Sequence, residues 1–251
     1  MPARADKTTD PEIRAGLLLA RRGTAYFSRK LGELRDDEFD AASLLPGWTR
    51  RHLIAHVGYN ARAIVRLTEW AATGVEQAMY ESPEARWREI EHGATLSPTA
   101  LRDLCEQGTE QLNERWRVLP DEAWHAEIRT AQGRVVPASA TLWMRTREVW
   151  LHAVDLDNGG SYSDFPAELI DHLLADVLSN WRGRQAAEGI PNFVLHPTDR
   201  DKARAVGDVD AGDAVMLRGS AVALARWATG RGSAGVAPVE GTDVPTAPRW
   251  L

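Results

Sequence analysis

Cysteine is nearly absent from this 251-residue chain: Cys105 stands alone, which excludes an internal disulfide. Long apolar runs are absent too. The only early one, Leu17-Leu18-Leu19-Ala20, is far too short for a signal core or a membrane span, and residues 1–10 before it are polar and mixed in charge. There is no excess of positive charge, since 30 Lys and Arg face 36 Asp and Glu for a formal charge of -6. No basic stripe of the kind that phosphate backbones select is present, which counts against nucleic acid as a partner. Internal repeats and low-complexity tracts are also missing. These absences lead us to expect a soluble cytoplasmic protein without membrane partners, long enough for one large domain or two modest ones.

What is present reads as helix in the first half. Asp10-Pro11-Glu12 combines an N-cap, a proline at the first helical position and an acid in the first turn, and the amphipathic run after it extends to about residue 34. Leu45-Pro46-Gly47-Trp48 forms a turn, Thr49 is an N-cap, and Leu53, Ile54, Val57, Ile64, Val65 and Leu67 recur at helical spacing to about residue 73. Ser82-Pro83-Glu84 starts a short helix to about residue 92, and Ser97-Pro98 starts another to about residue 118. Gln132-Gly133, between Glu127-Ile128-Arg129 and Arg134-Val135-Val136, suggests a small hairpin. A further helix covers residues 142–154, with no breaker before Asn158-Gly159-Gly160. Four long helices with short inserts imply a bundle of up-and-down type.

The turn-rich segment 157–164 is the best boundary, dividing the chain into domains 1–160 and 161–251. Beyond it the texture is mixed. Phe165-Pro166 begins a helix to about residue 182, residues 192–196 and 214–218 look like strands, and Ser220 caps a helix over residues 221–229. The tail is read as adding an edge strand before Pro248-Arg249-Trp250-Leu251. The fold class is therefore α+β, a helical bundle followed by a smaller mixed domain.

Two segments carry chemistry. His56 falls in the second turn of its helix, while Glu148 and His152 stand four apart and share a helix face. Two imidazoles and a carboxylate leave one or two positions open on a divalent ion, as catalytic sites do. The plain reading, a buried histidine and an ordinary intrahelical Glu-His contact, stays open beside it. His52 and His56 also make an i, i+4 pair, but Leu53 stands where a zinc protease would need its glutamate, so that reading is weak.

Other features read blandly. Several of the ten tryptophans (Trp70, Trp87, Trp116, Trp143, Trp150, Trp181) fall at helical positions and read as packing seams rather than a ligand cage. Cys105 lies on an apolar stripe with Leu101, Leu104 and Leu112. Gly230-Arg231-Gly232-Ser233-Ala234-Gly235 matches Gly-x-Gly-x-x-Gly but follows a helix, which excludes the dinucleotide fingerprint. Arg226 sits among apolar residues of a short helix, so it either sends its head to solvent, pairs with an acid, or holds a ligand carboxylate.

The segments Leu45-Pro46-Gly47-Trp48-Thr49-Arg50-Arg51-His52-Leu53-Ile54-Ala55-His56-Val57, Tyr80-Glu81-Ser82-Pro83-Glu84-Ala85-Arg86, Thr130-Ala131-Gln132-Gly133-Arg134 and Glu148-Val149-Trp150-Leu151-His152 together with the C-terminal Pro248-Arg249-Trp250-Leu251 closely resemble the mycothiol-dependent maleylpyruvate isomerase family. The helix motifs alone place the chain in the wider DinB-like, thiol-dependent superfamily. The resemblance implies a DinB-like four-helix bundle, zinc held by His56, Glu148 and His152, a catalytic Arg226, and no ligand role for His52. It implies mycothiol as cofactor and maleylpyruvate as substrate, converted to fumarylpyruvate within gentisate breakdown. Zinc would keep the thiol as thiolate for addition to the double bond, rotation and expulsion, with Arg226 on a carboxylate and Glu148 in a structural and electronic role. Two alternatives stay open: a mycothiol S-transferase, and a non-enzymatic metal or thiol sensor. A monomer is expected.

Overall fold

The computed structural model describes residues 5–208 and 212–250. The first four residues of the polar N-terminal stretch and Leu251 of the C-terminal motif lie outside them. Backbone contacts divide the chain into two compact units, residues 1–160 and 161–251.

The first unit contains α1 (Pro11–Glu33), α2 (Arg50–Thr73), α3 (Pro83–Ala94), α4 (Pro98–Val118) and α5 (Ala140–Asp155), with a hairpin of β1 (Glu127–Arg129) and β2 (Val135–Pro137) before α5. Side-chain caps set the starts: Asp10 accepts from the amides of Glu12 and Ile13, Ser82 from Ala85, and Ser97 from Ala100. Each is followed by proline at the first helical position, where its missing N–H costs nothing.

The four long helices form a bundle, but not in the sequential order of an up-and-down arrangement. Helix α5 packs against both α1 and α2, and α2 also packs on α4, whereas α1 with α2 and α4 with α5 are not main packing pairs. The physical reason is connection length. Residues 34–49 and 119–139 are long enough to cross the end of the bundle, which short loops would forbid. Leu17, Ile64, Leu67, Leu112, Trp116 and Leu142 fill the interior. Helices α2 and α4 come close at Gly58 and Gly108; a Cβ on Gly108 would stand 3.0 Å from the Gly58 carbonyl oxygen.

The second unit is α+β. It has α6 (Ala167–Glu188), β3 (Phe193–Pro197), β4 (Arg204–Val206), β5 (Val215–Gly219), α7 (Ala221–Ala228) and β6 (Val236–Pro238), with sheet order β4-β3-β5-β6. Strand β6 is the edge strand expected in the tail, antiparallel to β5. Helix α6 runs six residues past the expected end, to a left-handed Gly189 at φ 62. Strand β4 was not anticipated. Trp181, Phe193 and Trp227 pack with ring centroids 5.4 to 5.7 Å apart and hold α6, β3 and α7 together. No helix among the described residues is long and apolar enough to cross a membrane.

Candidate metal centre

Thr49 and His52 fix the start of α2. The Thr49 hydroxyl lies 2.7 Å from His52 Nδ1, and the Thr49 amide donates to the same nitrogen at 3.3 Å. His52 is thus used in capping, one turn before His56. The far end of the α5 segment is tied by Arg50, whose Nε donates to the Leu156 carbonyl at 2.6 Å and whose Nη2 donates to Asp157 O at 2.6 Å. Two segments distant in sequence are thereby held side by side.

Their facing side chains meet. One ligand atom from each of His56, Glu148 and His152 lies within 4.8 Å of the others. His56 Nε2 is 2.8 Å and His152 Nε2 3.1 Å from the same oxygen, Glu148 Oε2. The other face of His152 is fixed by Asp155, whose Oδ2 lies 2.9 Å from Nδ1 and whose residue is fully buried. A carboxylate on the far nitrogen sets the tautomer and orientation of a metal-binding imidazole. No role for Asp155 was read from the sequence, although its i, i+3 spacing from His152 was there to be used.

Charge around the group is uneven. Burial lowers the pKa of His56 and outweighs the pull of Glu148. Burial opposes a charged His152 as well, but hydrogen bonds to Asp155 and Glu148 prevail and raise its pKa to about 9. Glu148 is held well below the usual carboxylate range, because the two imidazoles overcome the burial that would raise it. One turn earlier on α5, Arg145 is 2% exposed and donates to two neutral acceptors, the Val57 carbonyl at 2.8 Å and Asn60 Oδ1 at 3.0 Å. It ties α5 to α2 beside the site and leaves a buried positive charge near Glu148.

Two neutralisable imidazoles and one carboxylate converging on a point, with an outer carboxylate on one of them, fit a divalent ion. In the metal-free protein at pH 7.5, below the raised His152 pKa, that imidazole is protonated while His56 is neutral. Metal uptake is therefore expected to release about one proton per ion. Calorimetric titration in buffers of different ionisation enthalpy measures this, and a buffer-independent heat would contradict the assignment.

Aromatic rings wall the site. Trp48 meets His56 edge-on at 5.5 Å between centroids and contacts Trp87 at 6.0 Å. Trp87 is therefore a wall residue, 48% exposed, and not a packing seam. Trp116 and Trp181 are fully buried, as the packing reading expects.

Cys105 takes no part in this centre by chemistry. Its Sγ donates to the Ile54 carbonyl at 3.4 Å, and burial pushes its pKa to about 12. At pH 7.5 it should react with a disulfide reagent at least ~10³-fold more slowly in native than in unfolded protein, since only thiolate reacts. Absorbance of the released thiol checks this.

Arg226 lies on α7, whose start is capped by Ser220. Its Nη2 donates to the Ala234 carbonyl at 2.6 Å, while its Nε is buried and has no hydrogen-bond partner among the described residues. The accepting carbonyl belongs to the glycine-rich segment after α7, where Gly230, Gly232 and Gly235 all have positive φ. That segment is a loop leading into β6.

Comparison with known proteins agrees over nearly the whole chain. The family model of the mycothiol maleylpyruvate isomerase N-terminal domain matches residues 20–157, and the model of the MDMPI C-terminal domain matches residues 164–250. A crystal structure of the mycothiol-dependent maleylpyruvate isomerase is 45% identical, covers 95% of this chain and 97% of its own, and superposes with a TM-score of 0.88. A crystal structure of a histidine-to-alanine mutant of a mycothiol-dependent maleylpyruvate isomerase matches at 44% identity with the same coverage and TM-score. No curated protein matches the sequence. The chain belongs to the mycothiol-dependent maleylpyruvate isomerase family.

Proposed function

We propose that this protein catalyses the cis-trans isomerisation of maleylpyruvate to fumarylpyruvate, with mycothiol as the thiol and a zinc ion held by His56, Glu148 and His152. The observation that carries the reading is the convergence of those three side chains on one point in a member of this family. A zinc ion held there would supply a Lewis acid able to keep a thiol of pKa about 8.5 as thiolate at neutral pH.

Asp155 holds the His152 ring in the tautomer that presents Nε2. Arg145 and Arg50 fix the approach of α2 and the α5 segment, so the three donors keep their spacing. Mycothiol bound there would supply the nucleophile for reversible addition to the substrate double bond, which would leave a single bond free to rotate before the thiol is released unchanged. Arg226 binds a substrate carboxylate and stabilises the charge that develops on addition.

The test is the ultraviolet spectrum of maleylpyruvate mixed with zinc-loaded protein and catalytic mycothiol. Conversion to fumarylpyruvate with thiol undiminished is expected. Stoichiometric loss of thiol would replace the isomerase with a transferase, and no turnover would leave a binding or sensing role.

A further inference from the structure

Arg86 projects from α3 onto the metal ligand His56. Its Nη2 is 3.3 Å from His56 Nδ1, and its guanidinium carbon is 5.7 Å from the Tyr80 ring centroid. The neighbouring arginines are all committed to oxygen: Arg50 to Leu156 and Asp157, Arg51 to Asp40 and Leu96, Arg66 to Met79, Arg145 to Val57 and Asn60. Arg86 faces a ring nitrogen and the Tyr80 hydroxyl, and among the described residues no carboxylate pairs with it.

That contact is compatible with only one tautomer. A guanidinium has N–H donors and no acceptor, so His56 Nδ1 must offer a lone pair to it and carry its proton on Nε2. When Nε2 gives its lone pair to an ion, a neutral imidazole must carry the proton on Nδ1. Donor then faces donor, and the contact breaks. Loading the site therefore leaves a guanidinium on the outer side of the His56 ring, one imidazole away from the ion, without a carboxylate. Tyr80, whose ring lies beneath Arg86, also lines a cavity of about 590 Å³ together with Arg66, Glu81, Arg88 and Glu89.

We infer that Arg86 is a substrate-binding residue, released from His56 by metal binding and then paired bidentately with a carboxylate of the substrate. This rests on the function proposed above, whose substrate is a dicarboxylate. It also makes metal and anion binding cooperative, because each favours the same His56 tautomer.

Succinate, which has no double bond to isomerise, is the probe, titrated by calorimetry or by quenching of Trp48 and Trp87 fluorescence. In wild type the metal should tighten succinate binding, and Arg86→Gln should lose about 10-fold or more of that gain while still holding one ion, with Arg86→Lys intermediate. In turnover, Arg86→Gln should raise KM for maleylpyruvate by a similar factor. An equal metal-dependent gain in wild type and Arg86→Gln would overturn the inference, as would loss of the ion in the variant, which would make Arg86 a support of His56 only. The two readings fail separately: a wild type that binds succinate through Arg86 yet never converts maleylpyruvate removes the proposed activity and keeps the anion site.

Discussion

His56→Ala should leave a folded protein that neither retains metal through dialysis nor converts maleylpyruvate. The expectation follows from what surrounds the residue. Three side chains would supply the donors, and two of them, Glu148 and His152, sit on one helix and stay in contact without His56. Two donors on one face cannot enclose an ion as three from two helices do. Losing an outer hydrogen bond to a metal ligand already costs about 10- to 100-fold in affinity, so losing the ligand itself should cost at least ~100-fold. The fold should survive, because α2 and α5 are also joined by Arg145 to Val57 and Asn60, and the α5 segment by Arg50 to Leu156. Elemental analysis of dialysed protein, circular dichroism and turnover decide the matter together. A variant with wild-type metal content would show that the ion, if any, binds elsewhere. A variant that unfolds would show the triad to be a structural ion-pair cluster, the plain reading of the same geometry. Glu148→Gln separates these further: it keeps the volume and one hydrogen bond but removes the charge that two imidazoles now share.

How far the sequence foretold this can be argued from single residues. Asp10, Ser82 and Ser97, each before a proline, marked helix starts because capping is local chemistry, and the structure has helices beginning at Pro11, Pro83 and Pro98. The approach of Glu148 to His152 was legible for the same reason, since four residues make one turn. The neighbour order of the bundle was not. Helix amphipathicity says that a face is buried but not against which helix, and the connections 34–49 and 119–139 carry no signal that says whether they cross. Strand β4, three residues in a polar stretch, has too few positions for an alternation to register. Arg86 lies in a segment that the resemblance had flagged, yet only tertiary structure puts it on His56, thirty residues away in sequence. Asp155 could have been read from spacing, Trp48 and Arg145 only from the fold.

Arg226→Ala should lower kcat by about 10²- to 10³-fold while metal content stays at one ion per chain. The reasoning starts from an unmet hydrogen bond. Arg226 donates one Nη2 bond to Ala234, but its buried Nε has no acceptor among the described residues, and leaving such a donor unpaired costs about 1–3 kcal/mol. A native protein that keeps this cost invites a functional explanation, and a carboxylate supplied by a substrate would accept from Nε and a terminal nitrogen together. If that pairing strengthens as the enolate forms, the loss falls on kcat; if it is equal in ground and transition states, it falls on KM alone. Arg226→Lys should rescue little, because an ammonium is a point charge and cannot form the planar two-bond contact. A stabiliser of the fold would behave in the opposite way. Removing a side chain with an unsatisfied donor would then change the melting temperature and leave kcat per folded molecule intact, and that result would take Arg226 out of the mechanism.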